Sequence, residues 1–197
     1  MELLVATRNK KKLAEIRDLL KDLPLKITSL DDYRSLPKID EDGKTFEQNA
    51  IKKAATVAIY TGKLTLGEDS GLEVAVLKNQ PGVYSSRFSG PQATDKKNNL
   101  KLLRLLRGNP LKKRQARYRC AVALADNKKL IYVGSGTCGG LIGFKSRGNF
   151  GFGYDPLFIP RGFNRPFGQL DPDIKRKISH RAKALKKLLP LLRKLTR

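Results

Sequence analysis

Five of the 18 acidic residues in this chain sit in two short stretches, Asp40-Glu41-Asp42 and Glu68-Asp69. The second stretch interrupts an otherwise apolar run, where a carboxylate without a partner would be costly. Two carboxylates brought together suit a magnesium ion, which takes oxygen ligands and completes its shell with water and substrate phosphates. A carboxylate beside such an ion can also accept a proton from an attacking water. The plain alternatives are a solvated turn for the loop acids and an Asx turn for Asp69 ahead of Ser70-Gly71.

Three further constellations carry chemistry. Thr7-Arg8-Asn9-Lys10-Lys11-Lys12 reads as a strand end feeding a helix, where free amides, the helix dipole and lysines would form a phosphate cradle. It reads equally as a basic turn facing solvent. Gly151-Phe152-Gly153-Tyr154-Asp155-Pro156 brackets an aromatic ring with glycines, so that a flat ligand could approach the backbone, stack on Phe152 and meet Asp155 as an acceptor. A structural turn around a core aromatic has the same pattern. Lys175, then Ile178-Ser179-His180-Arg181, puts the only histidine of the chain beside an arginine at a helix start. That position suits binding, although a lone histidine is commonly structural and no metal-ligand spacing surrounds it.

The elements that must hold these groups are legible from periodicity. Glu2 to Ala6 reads as a strand, Lys11 to Leu20 as a helix and Leu25 to Leu30 as a second strand. The range 31–43 is a polar loop, and Thr45-Phe46-Glu47-Gln48 has the form of a capping box opening a helix to Tyr60. Leu64 to Leu66 begins a strand that residues 67–71 interrupt before Leu72 to Leu77 resumes it. A helix follows over 94–106, then a hairpin pairs Ala116 to Ala125 with Leu130 to Cys138. The range 139–153 is glycine-rich and irregular. A last helix, from about Arg176, carries Ile178, Leu185, Leu188 and Leu189 and is expected to kink or stop near Pro190. This is an α/β chain with a mixed sheet.

With 197 residues and 40% hydrophobic content, the chain can bury one substantial core, as a single domain or a domain with a small lobe. Cys120 and Cys138 fall in strands and read as small buried apolar residues rather than a disulfide, which fits a reducing cytoplasm. The first residues are too short an apolar run for a secretory leader, and no stretch approaches the roughly 20 residues that span a bilayer. The net charge of +23 is the unusual quantity. It draws phosphates and other polyanions without naming one, so a nucleic-acid-binding protein is a rival reading, and weak polyanion binding a secondary one.

In order and spacing these blocks resemble the inosine triphosphate pyrophosphatase family. The matching stretches are Ala6 to Lys12, Glu41 to Ala50 with Thr45, Phe46 and Asn49, Asp69-Ser70-Gly71-Leu72, Pro81 to Gly90, Gly151 to Pro156 and Ile178 to Arg181. The resemblance implies a long mixed central sheet flanked by helices, with two lobes and a cleft between them, within one nucleotide pyrophosphatase domain over 1–197. It also implies a homodimer and a purine nucleoside triphosphate as substrate. By position, Thr7, Asn9 and Lys12, with Arg8, Lys10 and Lys11 beside them, would hold phosphates, and Ser70 and Lys175 would add contacts. Glu41 and Asp69 would coordinate Mg2+, with Asp69 as the base. Phe152, Gly153, Tyr154, Asp155, His180 and Arg181 would receive base and sugar. A Maf-like pyrophosphatase with another base preference is the nearer enzymatic rival. Glu68 replaces an Asp common in the family, Arg176 an Asn, and Gln169 an acid.

Overall fold

The structure, a computed structural model, describes residues 1–33, 36–37 and 39–196. Arg34, Ser35 and Lys38 of the expected loop lie outside the described residues. The strands are β1 (Glu2–Val5), β2 (Lys26–Ser29), β3 (Thr65–Val74), β4 (Gln80–Pro81), β5 (Gln115–Ala125), β6 (Leu130–Ile142) and β7 (Phe158–Pro160). The helices are α1 (Lys10–Leu19), α2 (Phe46–Thr61), α3 (Asp95–Leu105), α4 (Pro172–Ile178) and α5 (His180–Leu195). One mixed sheet runs β2-β1-β3-β5-β6-β7, with β4 paired to β3 off this path. Strand β1 is parallel to both β2 and β3, placing Val5 opposite Ser29 and Leu66, whereas β3–β4 and β6–β7 are antiparallel.

The chain forms two compact units. The first comprises Met1–Asp69, Cys120–Gly136 and Arg181–Arg197. Its core gathers the apolar stripe of α1 (Leu13, Ile16), Leu3, Val5 and Leu66 of β1 and β3, Val122 of β5, and Leu185, Leu188 and Leu192 of α5. Asn9 caps α1, its Oδ1 accepting from the amides of Lys11 and Lys12 at 3.0 and 3.1 Å. The capping box on α2 is present, with the Gln48 amide donating to Thr45 Oγ1 and the Thr45 amide to Gln48 Oε1. Gly62 ends that helix in the left-handed region that glycine adopts without penalty.

The second unit comprises Ser70–Arg119 and Thr137–His180. Leu72, Leu102, Tyr118, Ile142, Phe158 and Phe167 are among the residues of its core. Thr94 caps α3 through its hydroxyl. Both cysteines are buried and neither is bonded to another.

Several elements differ from the sequence expectation. The last helix, expected as one from about Arg176, is two, α4 and α5, because Ser179 between them is extended. Strand β3 is not interrupted at residues 67–71 but runs from Thr65 to Val74. Glu68 and Asp69 stay in the ladder because each is buried with polar partners, so the usual cost of a carboxylate in a strand is offset. The glycine-rich stretch begins as strand, since β6 reaches Ile142. Gly140 there faces Pro160 of β7, where a Cβ would lie 2.2 Å from the Ile159 carbonyl. Helix α5 passes through Pro190 to Leu195. Proline in a helix interior costs about 3 kcal/mol. Burial of Leu185, Leu188 and Leu192 on both sides of it contributes about 1.5–3 kcal/mol each.

Candidate functional site

Within the first unit, α2 presents Asn49 and Lys53, one turn apart, toward the part of β3 that carries Asp69. Asn49 Nδ2 donates to Asp69 Oδ2 at 2.9 Å, and Asn49 Oδ1 accepts from the Gly43 amide at 2.8 Å, which ties the acidic loop to the same helix. Lys53 Nζ lies 2.9 Å from Glu41 Oε1 and 3.7 Å from Asp69 Oδ1. Glu41 and Asp69 therefore face one cationic position from loop and strand. The approach of strand to helix is tight. A Cβ on Gly67 would lie 2.1 Å from the Ala50 carbonyl oxygen and 2.7 Å from the Ala54 nitrogen. Burial holds the Asp69 pKa above the ordinary aspartate value, against the opposing pull of Lys53, Lys12 and the Asn49 hydrogen bond.

Glu68, one residue earlier and so on the other side of the pleat, is engaged by different partners. Lys12 Nζ lies 2.9 Å from its Oε2 and Arg181 Nη2 3.0 Å from its Oε1. The Cys120 thiol donates to the same carboxylate at 3.3 Å. Arg181, 1% exposed, also pairs with Glu15. Burial works most strongly to lower the pKa of Lys12 and Arg181 adds to it, but Glu68 and Asp69 together outweigh both, and the ammonium sits above its ordinary value. This cluster explains how the longer acid is accommodated: two cations and a thiol surround it in a buried position. Burial and then Glu68 push the Cys120 thiol well up, so it remains protonated as the donor.

The other amino-terminal residues are more exposed. Arg8 pairs with Asp31 at 3.2 Å, with both side chains largely in solvent. Thr7 Oγ1 accepts from the Asn9 amide. Lys10 and Lys11 form the exposed start of α1. Two of the helix-start amides expected to meet phosphate are thus already met by Asn9.

The second unit builds its own polar centre around Asp155, which is 1% exposed. Its carboxylate accepts from the Phe152 amide at 2.8 Å, from Lys175 Nζ at 2.6 Å and from the Tyr118 hydroxyl at 3.2 Å. Gly151 has φ +76° and leaves no room for a side chain, since a Cβ would fall 2.0 Å from Asp155 Oδ2. The Gly153 backbone is held by Asn99 and Asp95, and the Tyr154 hydroxyl donates to the Ser85 carbonyl. Lys175 also lies 4.5 Å from the centroid of Phe152. His180 stacks on Tyr118, with centroids 4.6 Å apart and planes 9° from parallel. Phe152, Gly153, Tyr154, Asp155, Lys175 and His180 are thus gathered in one unit. Ser70 begins that unit along β3, while Arg181 opens the segment that belongs to the first.

Sequence reasoning passed over Lys53, Tyr118 and Asn99, and read Cys120 as a buried apolar residue without its thiol bond to Glu68. A signal existed for Lys53, which stands four residues after Asn49 on a capped helix and interrupts an alanine-rich apolar face. Among the described residues no group of three or more His, Cys, Asp or Glu forms a metal cage. Two carboxylates converging on one cationic position match a magnesium ion, which needs few protein ligands and takes the rest from phosphate and water. The donor set of Glu41 and Asp69 therefore fits that ion.

Known proteins resemble the chain over nearly its whole length. The sequence model of the Ham1 family matches residues 3–191. A dITP/XTP pyrophosphatase of Desulforamulus reducens is 46% identical over 195 residues, covering 99% of this chain and 97% of that protein. The dITP/XTP pyrophosphatase of Geobacter sulfurreducens is 46% identical, covering 93% and 92%. The structure of a HAM1 protein from Coxiella burnetii superposes with a TM-score of 0.88 at 39% identity, covering 98% of this chain and 99% of that one.

Proposed function

Since this chain belongs to the Ham1 family, we propose that it hydrolyses non-standard purine nucleoside triphosphates, those of inosine, deoxyinosine and xanthosine, to the monophosphate and pyrophosphate. The observation that carries the chemistry is the convergence of Glu41 and Asp69 on one cationic position, with Asn49 orienting the Asp69 carboxylate.

Water attacks the α-phosphorus, forming the new P–O bond as the bond to the bridging oxygen of pyrophosphate breaks. Asp69, held in orientation by the Asn49 hydrogen bond, takes the water's proton. Glu41 and Asp69 would hold magnesium, which when bound would neutralise charge on the phosphates. Thr7, Asn9, Lys12, Ser70 and Lys175 bind the phosphate chain, with Arg8, Lys10 and Lys11 adding positive field. Lysines offset charge building on the leaving group. Phe152 stacks on the base, while Gly153, Tyr154, Asp155 and His180 shape the base and sugar pocket. A 6-oxo group accepts from Arg181 or a backbone amide, whereas the 6-amino group of adenine presents a donor and leaves buried groups unpaired. Mismatch of this kind supports discrimination of about 10⁴ to 10⁵.

We further assign the enzyme to the cytoplasm and to a homodimer, and attribute to its +23 charge a weak, salt-sensitive affinity for polyanions. Among the described residues no helix is long and apolar enough to cross a membrane. Hydrolysis of dITP, XTP, ITP, GTP and ATP by the purified protein, with magnesium and with chelator, tests the reading. Magnesium-dependent turnover favouring the first three supports it. Equal turnover of ATP refutes the base preference, and steep binding of duplex DNA without turnover favours the nucleic-acid rival.

A further inference from the structure

Away from the residues above, the second unit holds a buried charge with no acidic partner among the described residues. Arg114, immediately before β5, is 2% exposed. Among the described residues its Nε and Nη1 have no hydrogen-bond partner. Desolvation pushes its pKa down. A buried guanidinium without an acceptor is strongly unfavourable, and proteins ordinarily answer it with a carboxylate or a bound anion.

The surroundings select the second answer. Arg114 lines a hollow of about 650 Å³ with Arg104, Arg107, Leu100, Leu103 and Phe144, and no acidic residue takes part in its wall. Arg104 and Arg107 are exposed, so their charges are available at its mouth. The Arg114 guanidinium carbon lies 4.6 Å from the centroid of Phe144, whose ring is 63% exposed despite its size. Arginine forks match the oxygens of a phosphate group. The hollow is far larger than a bare phosphate needs and falls within the ~300–1,000 Å³ usual for small-molecule sites.

We propose that this hollow is an anion site for a small organic phosphate, with its phosphate on Arg104, Arg107 and Arg114 and its flat or apolar body on Phe144, Leu100 and Leu103. It is independent of the hydrolytic centre and uses none of the residues assigned there.

Phenyl phosphate is a suitable probe because it joins a phosphate to a flat apolar ring and lacks a nucleobase. In Nε–Hε correlation spectra of the ¹⁵N-labelled protein, titration is expected to shift the Arg114 signal saturably. That signal is identified by its loss in Arg114→Lys. The Arg104→Ala/Arg107→Ala double variant removes only exposed side chains, so it keeps the fold even where Arg114→Lys does not. It should weaken phenyl phosphate about tenfold or more and leave dITP hydrolysis unchanged. An Arg114 signal unmoved at millimolar probe and protected from exchange would show a guanidinium capping the end of α3 and overturn the site. Equal affinity for inorganic phosphate would overturn the organic-phosphate assignment, and undiminished binding in the double variant would overturn the arginine cluster.

Discussion

Replacing Gly67 by alanine probes the link between fold and chemistry most finely. In an ordinary strand the change would help slightly, because glycine is worth roughly 0.5–1 kcal/mol less than alanine there. Here the added Cβ would sit 2.1 Å from the Ala50 carbonyl oxygen. A relaxed carbon–oxygen contact is about 3.3 Å, so β3 and α2 must separate by roughly 1.2 Å. Overpacking of this kind costs about 1–3 kcal/mol. The larger effect is positional, because α2 carries both Asn49, at 2.9 Å from Asp69, and Lys53. Moving them by that amount breaks the Asn49 hydrogen bond and releases the carboxylate from its orientation. Misplacement of about 1 Å lowers rates on the order of 10²-fold. Urea unfolding and dITP turnover of Gly67→Ala measure the two consequences separately. A protein that loses stability yet hydrolyses at the normal rate would refute the positioning argument, and one unchanged in both would refute the contact.

Two other perturbations follow from the same geometry. Lys53→Met leaves Glu41 and Asp69 facing each other without their cation. With Glu41 about one-third exposed, the loss should be about 1–3 kcal/mol, and millimolar magnesium should restore part of it in urea melts, whereas indifference to magnesium would contradict a cation site there. Glu2 binds Lys63, Tyr33 and Thr28, and the Lys63 and Tyr33 hydrogen bonds hold its carboxyl below the ordinary value of 4.5. A lowered folded pKa gives stability that is present above pH 4.5 and lost as pH falls through the folded value. Unfolding midpoints of Glu2→Gln should therefore fall less on acidification than those of the parent, and parallel curves would contradict the assignment.

Much of this arrangement was readable before any coordinates, for reasons that differ between residues. Periodicity and caps placed α1, α2 and α3 to within a residue or two, because Asn9, Thr45 with Gln48, and Thr94 satisfy helix-start amides through local hydrogen bonds that sequence spacing encodes. The pairing of Glu41 with Asp69 came through resemblance. Its supports, Lys53 and the Asn49 bridge to Gly43, arise from packing of α2 on β3 and have no local signature beyond their four-residue spacing. The continuity of β3 was missed because Glu68 and Asp69 look like strand breakers until Lys12, Arg181 and Asn49 are seen around them. Pro190 misled for a related reason: local propensity marks a stop, while the leucines flanking it are held by tertiary burial. Ion pairs between distant segments, such as Arg181 with Glu15 and Glu68, lie beyond any spacing rule.

Turnover of dITP by Asp69→Asn tests the central claim most directly. The substitution keeps size and can still bond Asn49, but it cannot take a proton from water. Turnover is predicted to fall by about 10² to 10⁴ while thermal unfolding shows an intact fold. A variant of normal stability that retains activity within a few-fold of the parent would contradict Asp69 as the base.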